Sequence, residues 1–341
     1  MKLGFLTEAS ANGYYRAVIP MRALEQRGHD VMWQRPLGND LPISELLRCD
    51  LVHCYRRMEQ LPTLRTLADH GVAISFDNDD DFAAAEMTDT GQSMKLDGHL
   101  RNKKRFREVL RCAKLADVTT TTSTVLAEQY RLAGAEEVLV VENHLERGMF
   151  GFGSKAKHDG VVVGWVAGRE HRLDLDRLPI VDTFRALLDA HENLRVLTVG
   201  VRLPLRSNRY EHVSEVAYRD ILTVIGQMDI GIAPLADTQF NRSRSNVKLK
   251  EYGSAGVPWL ASPVGPYAGL GERQGGRLVS DADWSAALDD LIRNARVRRR
   301  LEKRALKWAA SETIDRHVHG WERAIAVALE RSTERQPRAA R

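Results

Sequence analysis

At 341 residues, with 43% apolar and 28% charged side chains, the chain is long enough for two domains and too apolar to stay disordered. Fifty basic and 46 acidic side chains leave a formal charge of only +4, which argues against a protein built mainly to hold nucleic acid. Three cysteines, Cys49, Cys54 and Cys112, are odd in number and form no C-x-x-C pair. A disulfide framework is therefore disfavoured, and a reducing, cytoplasmic setting is expected.

The opening M-K-L-G-F-L-T reads as a strand without a signal-peptide core, and no apolar stretch approaches the roughly 20 residues that span a bilayer. In the first half, strands are expected at 2–6, 31–35, 51–55, 72–77, 118–122 and 138–142. The amphipathic segments between them stop at Gly28, Gly71 and Gly134. Such alternation gives a parallel sheet covered on both faces. His53 and Cys54 are adjacent on one of these strands and point to opposite faces, so they are poor co-ligands for a metal.

A glycine- and lysine-rich stretch follows, and the expected division is a first domain over 1–150, a linker over 151–160 and a second domain over 161–328. The pattern restarts with strands at 161–165, 194–199, 213–216, 230–234, 259–262 and 277–279. The final third is helical: Trp284, Leu288, Leu291 and Ile292 trace one face, and Trp321, Ile325 and Leu329 another. The densest basic run, 293–307, has Leu301 and Ala305 at helical spacing and reads as a solvated helix face. The polar stretch 329–341 is expected to be a disordered tail. The fold class is thus α/β, with two Rossmann-like, doubly wound domains facing each other across a cleft and a helical C-terminal end. No G-x-G-x-x-G follows the first strand, so a dinucleotide-dependent dehydrogenase is disfavoured.

Ligands of open α/β sheets bind beyond the carboxyl ends of the strands. After the first strand, Gly13 allows close backbone approach, and Tyr15 and Arg16 open a helix where they could meet an acceptor. After the fourth, Asp77-Asn-Asp-Asp-Asp81 is open to three readings: a plain loop, sugar-hydroxyl binding, or a metal site. Asp80 is the residue chosen from it. After the seventh, Gly164 and Gly168 let backbone come close while Arg169 and His171 could reach a diphosphate. The most informative segment runs from Asn241 to Glu251. Ser245 is expected to cap a helix whose first turn holds Asn246, Val247 and Lys248, and a helix N-terminus beside a strand end offers unpaired N–H groups and partial positive charge that suit a phosphate. Lys248 and Glu251 lie three apart and share one helix face, so one can hold a phosphate oxygen while the other accepts from sugar hydroxyls.

Four stretches together resemble the large retaining group of GT-B glycosyltransferases often called family 4. They are A-N-G-Y-Y-R with A-L-E-Q-R-G-H-D-V, V-V-E-N-H-L-E, V-V-V-G-W-V-A-G, and N-V-K-L-K-E-Y-G-S-A-G-V-P-W-L-A-S. The resemblance spans nearly the whole chain, and only the last motif is specific. It implies two Rossmann-like domains, a nucleotide-sugar donor on the second and an acceptor on the first. It also implies transfer with retention and without a metal or other cofactor. By position, Glu251 matches the glutamate that holds the nucleotide ribose, and Lys248, Arg169 and the backbone of 245–247 would face the diphosphate. Gly13 would sit against donor phosphates or acceptor.

Two positions depart from the pattern. Ser243 stands where the family often has a second glutamate, and Asp77 to Asp81 occupies the place of a histidine. The expected reaction is transfer from a UDP- or GDP-sugar to a hydroxyl or amine of a small molecule or glycan, with no nucleic-acid partner. Lys248, Arg169 and Asp80 would be catalytic. Alternatives are a 2-epimerase-like enzyme using His53, His99 or His171, and a non-catalytic sugar-nucleotide-binding protein.

Overall fold

The computed structural model describes residues 1–8, 13–34, 40–88, 92–150, 159–214, 216 and 220–335. Most of the expected linker, 151–158, lies outside the described residues. The first sheet holds six parallel strands: β1 Lys2–Thr7, β2 Asp30–Trp33, β3 Leu51–Tyr55, β4 Ala73–Asp77, β5 Val118–Thr121 and β6 Val138–Val140. Their order is β2-β1-β3-β4-β5-β6. The second sheet is also parallel and six-stranded, with β7 Val161–Ala167, β8 Leu194–Gly200, β9 Tyr210–Val213, β10 Ile230–Ala233, β11 Trp259–Ala261 and β12 Gly276–Leu278 in the order β12-β11-β10-β7-β8-β9. In both sheets the order turns back beside the first strand of the domain, and there the strand ends open a crevice.

Central strands are buried along their length, as β3, β4 and β7 are, because helices cover both faces. On the first domain these include α1 Ile19–Gln26, α2 Leu61–Asp69, α3 Leu96–Leu115 and α4 Thr124–Leu132. On the second come α5 Ile180–Ala190, α6 Val247–Ser254, α7 Trp284–Arg293 and α8 Ala295–Ser311. One turn of π-helix, Tyr14–Val18, precedes α1. Strand β9 begins earlier than expected because Tyr210 pairs with Val196, and its hydroxyl lies 2.9 Å from Thr198 Oγ1.

The C-terminal end departs from expectation. Helix α9, His319–Arg335, continues six residues past the expected start of the disordered tail, and it packs on β3, β4 and β5 of the first sheet rather than on the second domain. Its apolar face, Trp321, Ala324, Ile325 and Ala328, meets the first domain, where Trp321 lies edge-on to His53. The polar end is held as firmly. Ser332 donates to the Gly71 carbonyl, while Arg335 donates to the Val72 carbonyl and pairs with Asp117 at 2.8 Å. Polarity alone had made this stretch look unstructured, whereas its side chains satisfy the first domain's loop carbonyls and a carboxylate.

The chain therefore crosses between the domains twice, and the crossings bond to each other. Leu145 N–H donates to the Glu312 carbonyl and Ile314 N–H to the Leu145 carbonyl. Beside them the fully buried Lys250 donates to Glu142, to the Asn143 carbonyl and, at 2.8 Å, pairs with Glu312. Among the described residues no helix is long and apolar enough to cross a membrane.

Candidate active site in the interdomain cleft

Two adjoining cavities open between the sheets. The first, of about 380 Å³, is lined from the second domain by Trp165, Val166, Ala167, Gly168, Glu170, His171, Arg244, Ser245, Val247, Lys248 and Glu251. The first domain contributes Tyr15, Asp79, Asp80 and Asn143. One side is apolar, with Val199, Val216, Ile221 and Leu235. The second cavity, of about 600 Å³, runs between Arg56, Phe82, Met87, Met94, Arg101 and Arg105 on one domain and Leu173, Thr238, Phe240 and Asn241 on the other. Three residues line both: Asp80, Glu170 and Arg244. Volumes in this range suit a nucleotide-sized ligand and a second small substrate.

Helix α6 starts between β10 and β11, at the carboxyl end of the second sheet. Asn246, not Ser245, is its N-cap, and no side chain caps its first turn, so the positive end of the helix faces the cavity uncapped. Lys248 donates to Glu251 Oε2 at 2.7 Å, and the Tyr15 hydroxyl of the first domain donates to Glu251 Oε1 at 2.7 Å. Glu251 is nearly buried and Lys248 about a quarter exposed, so the pair faces the gap between domains and not bulk solvent. Ser245 accepts from Asn143 across the cleft. Asn246 reaches Glu142 at 3.4 Å instead of the cavity.

The loop after β7 supplies a second group. His171 Nδ1 lies 2.6 Å from Asp174 Oδ2, and its Nε2 lies 3.1 Å from Arg244 Nη1. Arg244 also pairs with Glu170 at 3.4 Å. Burial works to raise the Glu170 carboxyl, but His171 and Arg244 outweigh it and hold the group below the usual range. Sequence reasoning named the neighbours of Glu170 and Arg244 and missed both. They stand directly after Arg169 and Ser243, and only the meeting of the two loops singles them out.

Several expected site residues serve elsewhere. Arg16 is fully buried, with its guanidinium paired to Asp77 at 2.5 Å, donating to the Val141 carbonyl and Asn143, and lying 4.9 Å from the Trp321 ring. It ties the first sheet to α9 and cannot touch an acceptor. Gly13 has φ −58° and is buried ahead of the π turn, so its backbone needs no glycine freedom and it lines neither cavity. Gly164 is a core position, where a Cβ would fall 2.1 Å from Met228 Sδ. Arg169 is exposed and outside the lining of both cavities. Asn241 is buried between Asp174 and the Ala236 carbonyl and borders the second cavity instead of the first. Of the three histidines considered for an epimerase, His53 is buried against Phe5 and Trp321, and His99 lines neither cavity; His171 alone is in place.

The acidic run after β4 is held by donors. Asp77 binds Arg16 and Thr120, Asp79 the Tyr55 hydroxyl and Arg56, Asp80 the Arg56 guanidinium, and Asp81 both Gln129 and, across the cleft, Gln239. Arg56 has φ +57°, the left-handed region, at the end of β3. This network holds the run as a scaffold that presents Asp80 to both cavities. Away from both cavities, His144, Glu312 and His317 bring ligand atoms within 4.8 Å of one another at the domain crossing. Their imidazoles stack in parallel at 4.1 Å and 2°, so the lone pairs do not converge, and the Lys250 ammonium sits against Glu312.

No protein-family model matches the chain, and no curated protein matches it. Solved structures do. An alpha-glucosyltransferase in complex with UDP and DNA containing an HMU base is 10% identical with a TM-score of 0.66, over 96% of this chain and 99% of that one. Anabaena HepE in complex with UDP is 15% identical with a TM-score of 0.64, over 97% and 100%. S. aureus TarM is 10% identical with a TM-score of 0.58, and the chain covers 81% of itself but only 55% of TarM. Two parallel six-stranded sheets, a cleft between them and a last helix returning to the first sheet therefore make up a GT-B fold, the fold of these glycosyltransferases.

Proposed function

We propose that the protein is a glycosyltransferase that moves a sugar from a nucleotide-sugar donor, a UDP- or GDP-sugar, to a hydroxyl or amine acceptor. The observation that carries this reading is the meeting of two cavities at Asp80, Glu170 and Arg244, because a bond between two substrates must form where their sites join. The apolar side of the first cavity suits the nucleobase, and Glu251 suits the ribose hydroxyls. Glu251 now accepts from Tyr15 and Lys248, and its two oxygens retain further lone pairs.

Charge develops on the diphosphate as the anomeric bond breaks. Lys248, Arg244 and the uncapped start of α6 would face that charge in a site where closure excludes water. Arg244 takes the part that sequence reasoning gave to Arg169. The carboxylate missing at 243, where Ser243 donates to the Phe240 carbonyl, leaves Glu170 and Asp80 as the acids beside the transferred sugar. Retention is carried over from the resemblance, as is transfer without a metal. The epimerase reading loses support because two of its three histidines, His53 and His99, lie outside both cavities.

The test is product analysis with UDP- and GDP-sugars, with and without a panel of hydroxyl and amine acceptors. Acceptor-stimulated release of nucleoside diphosphate, with a product of retained anomeric configuration by NMR, is expected. An isomerised nucleotide sugar formed without acceptor, or nucleotide binding with no turnover on any acceptor, would overturn the proposal.

A further inference from the structure

We propose that the outer face of α3 docks on an anionic lipid bilayer. Leu96 and Leu100 are 75% and 57% exposed and lie one turn apart at the start of this 20-residue helix. Continuing along the same stripe at helical spacing come Lys103, Arg107, Arg111 and Lys114, flanked by Lys104, all exposed. The opposite face, with Phe106, Val109 and Cys112, is buried in the first domain.

Positive charge is concentrated there. The helix holds seven basic side chains against two acidic ones, a surplus of five, where the entire chain has a surplus of four. Arg101 pairs with Asp97 and Arg105 with Glu8, whereas Lys103, Lys104, Arg107, Arg111 and Lys114 make no ion pair with another described residue. On the other basic helix, α8, three of the five arginines have protein partners: Arg300 and Arg304 bind Glu272, and Arg298 the carbonyls of Leu291 and Ile292. Both helices are strongly basic, α8 with seven basic side chains against one acidic; what distinguishes α3 is the exposed leucine pair that leads its basic stripe.

Two exposed leucines ahead of a basic stripe favour lipid over nucleic acid. Leucine inserts among acyl chains while lysine and arginine meet anionic headgroups, whereas single-stranded nucleic acid calls for aromatic stacking, which this stripe lacks. The proposal rests on this surface alone and stands or falls independently of sugar transfer.

Co-sedimentation of the full chain with phosphatidylcholine vesicles, with or without about one third phosphatidylglycerol, tests it at low salt and at ~0.5 M salt. The protein is expected to pellet with the anionic vesicles only, and to be released by salt. Replacing both leucines (Leu96→Ser with Leu100→Ser) should weaken binding by about tenfold or more, because buried apolar area is lost. Reversing charge at Lys103, Lys104 and Arg107 (each to Glu) should abolish it. All these positions are exposed, so the melting temperature and any nucleotide-induced shift should be unchanged. Absence from anionic vesicles, equal binding by the variants, or preferential binding to a duplex DNA oligonucleotide would overturn the proposal.

Discussion

Lys248 is the residue on which the chemistry turns. It reaches the cavity from an uncapped helix start and is held in place by Glu251. Lys248→Ala should lower kcat by on the order of 10²-fold or more, as expected for removing one positioned donor from a developing anion, and steady-state kinetics on a folded variant checks it. A different residue sets pH sensitivity. Burial pushes the His53 imidazole down to about 4, while its ordinary value is 6.5. Between those values the unfolded chain binds the extra proton, so stability is full above pH 6.5 and falls as pH drops toward 4, by up to roughly 3 kcal/mol. Thermal melts across that window should show this slope, and His53→Gln should make it shallower, the remainder coming from His144, which burial also pushes down. Lys248 and Glu251 were legible in the sequence because three-residue spacing puts them on one helix face. Arg16 was not legible as a buried residue, since its partner Asp77 lies 61 positions away and nothing local marks the pair.

Helix α9 shows what periodicity conveys and what it omits. The spacing of Trp321 and Ile325 announced an apolar face correctly, but it could not say which sheet that face would cover. Nor could composition reveal that Ser332 and Arg335 are held by backbone carbonyls of the first domain. Because Trp321 packs against His53 and under the Arg16 guanidinium, Trp321→Ala should cost about 3–5 kcal/mol by urea denaturation, a value typical of truncating a large buried aromatic. A loss below about 1 kcal/mol would mean that the helix is only loosely docked. Helix α6 was read nearly correctly. Its N-cap moved by one residue to Asn246, a shift within the usual uncertainty of a helix end.

Across the whole molecule, alternating strands and helices made the two-domain layout readable, because parallel sheets buried on both faces leave long apolar runs. The convergence of Glu170 with Arg244 was not readable. Those loops are 74 positions apart and meet only once β7 and β10 lie side by side. The domains touch through Tyr15 to Glu251, Ser123 to the Ser243 carbonyl, and Gln239 to Asp81. A nucleotide whose ribose donates to Glu251 shares that carboxylate with the first of these. Binding and domain separation should therefore be coupled, and Tyr15→Phe should alter nucleotide affinity although tyrosine and phenylalanine pack alike.

The most direct measurement is calorimetric titration of UDP and GDP into the wild-type protein, Lys248→Ala and Glu251→Gln, each first checked for an unchanged melting temperature. The account predicts one saturable site per chain for at least one of the two nucleotides, weakened about tenfold or more in each variant. Failure of both nucleotides to bind the wild type, or undiminished affinity in both variants, would contradict it.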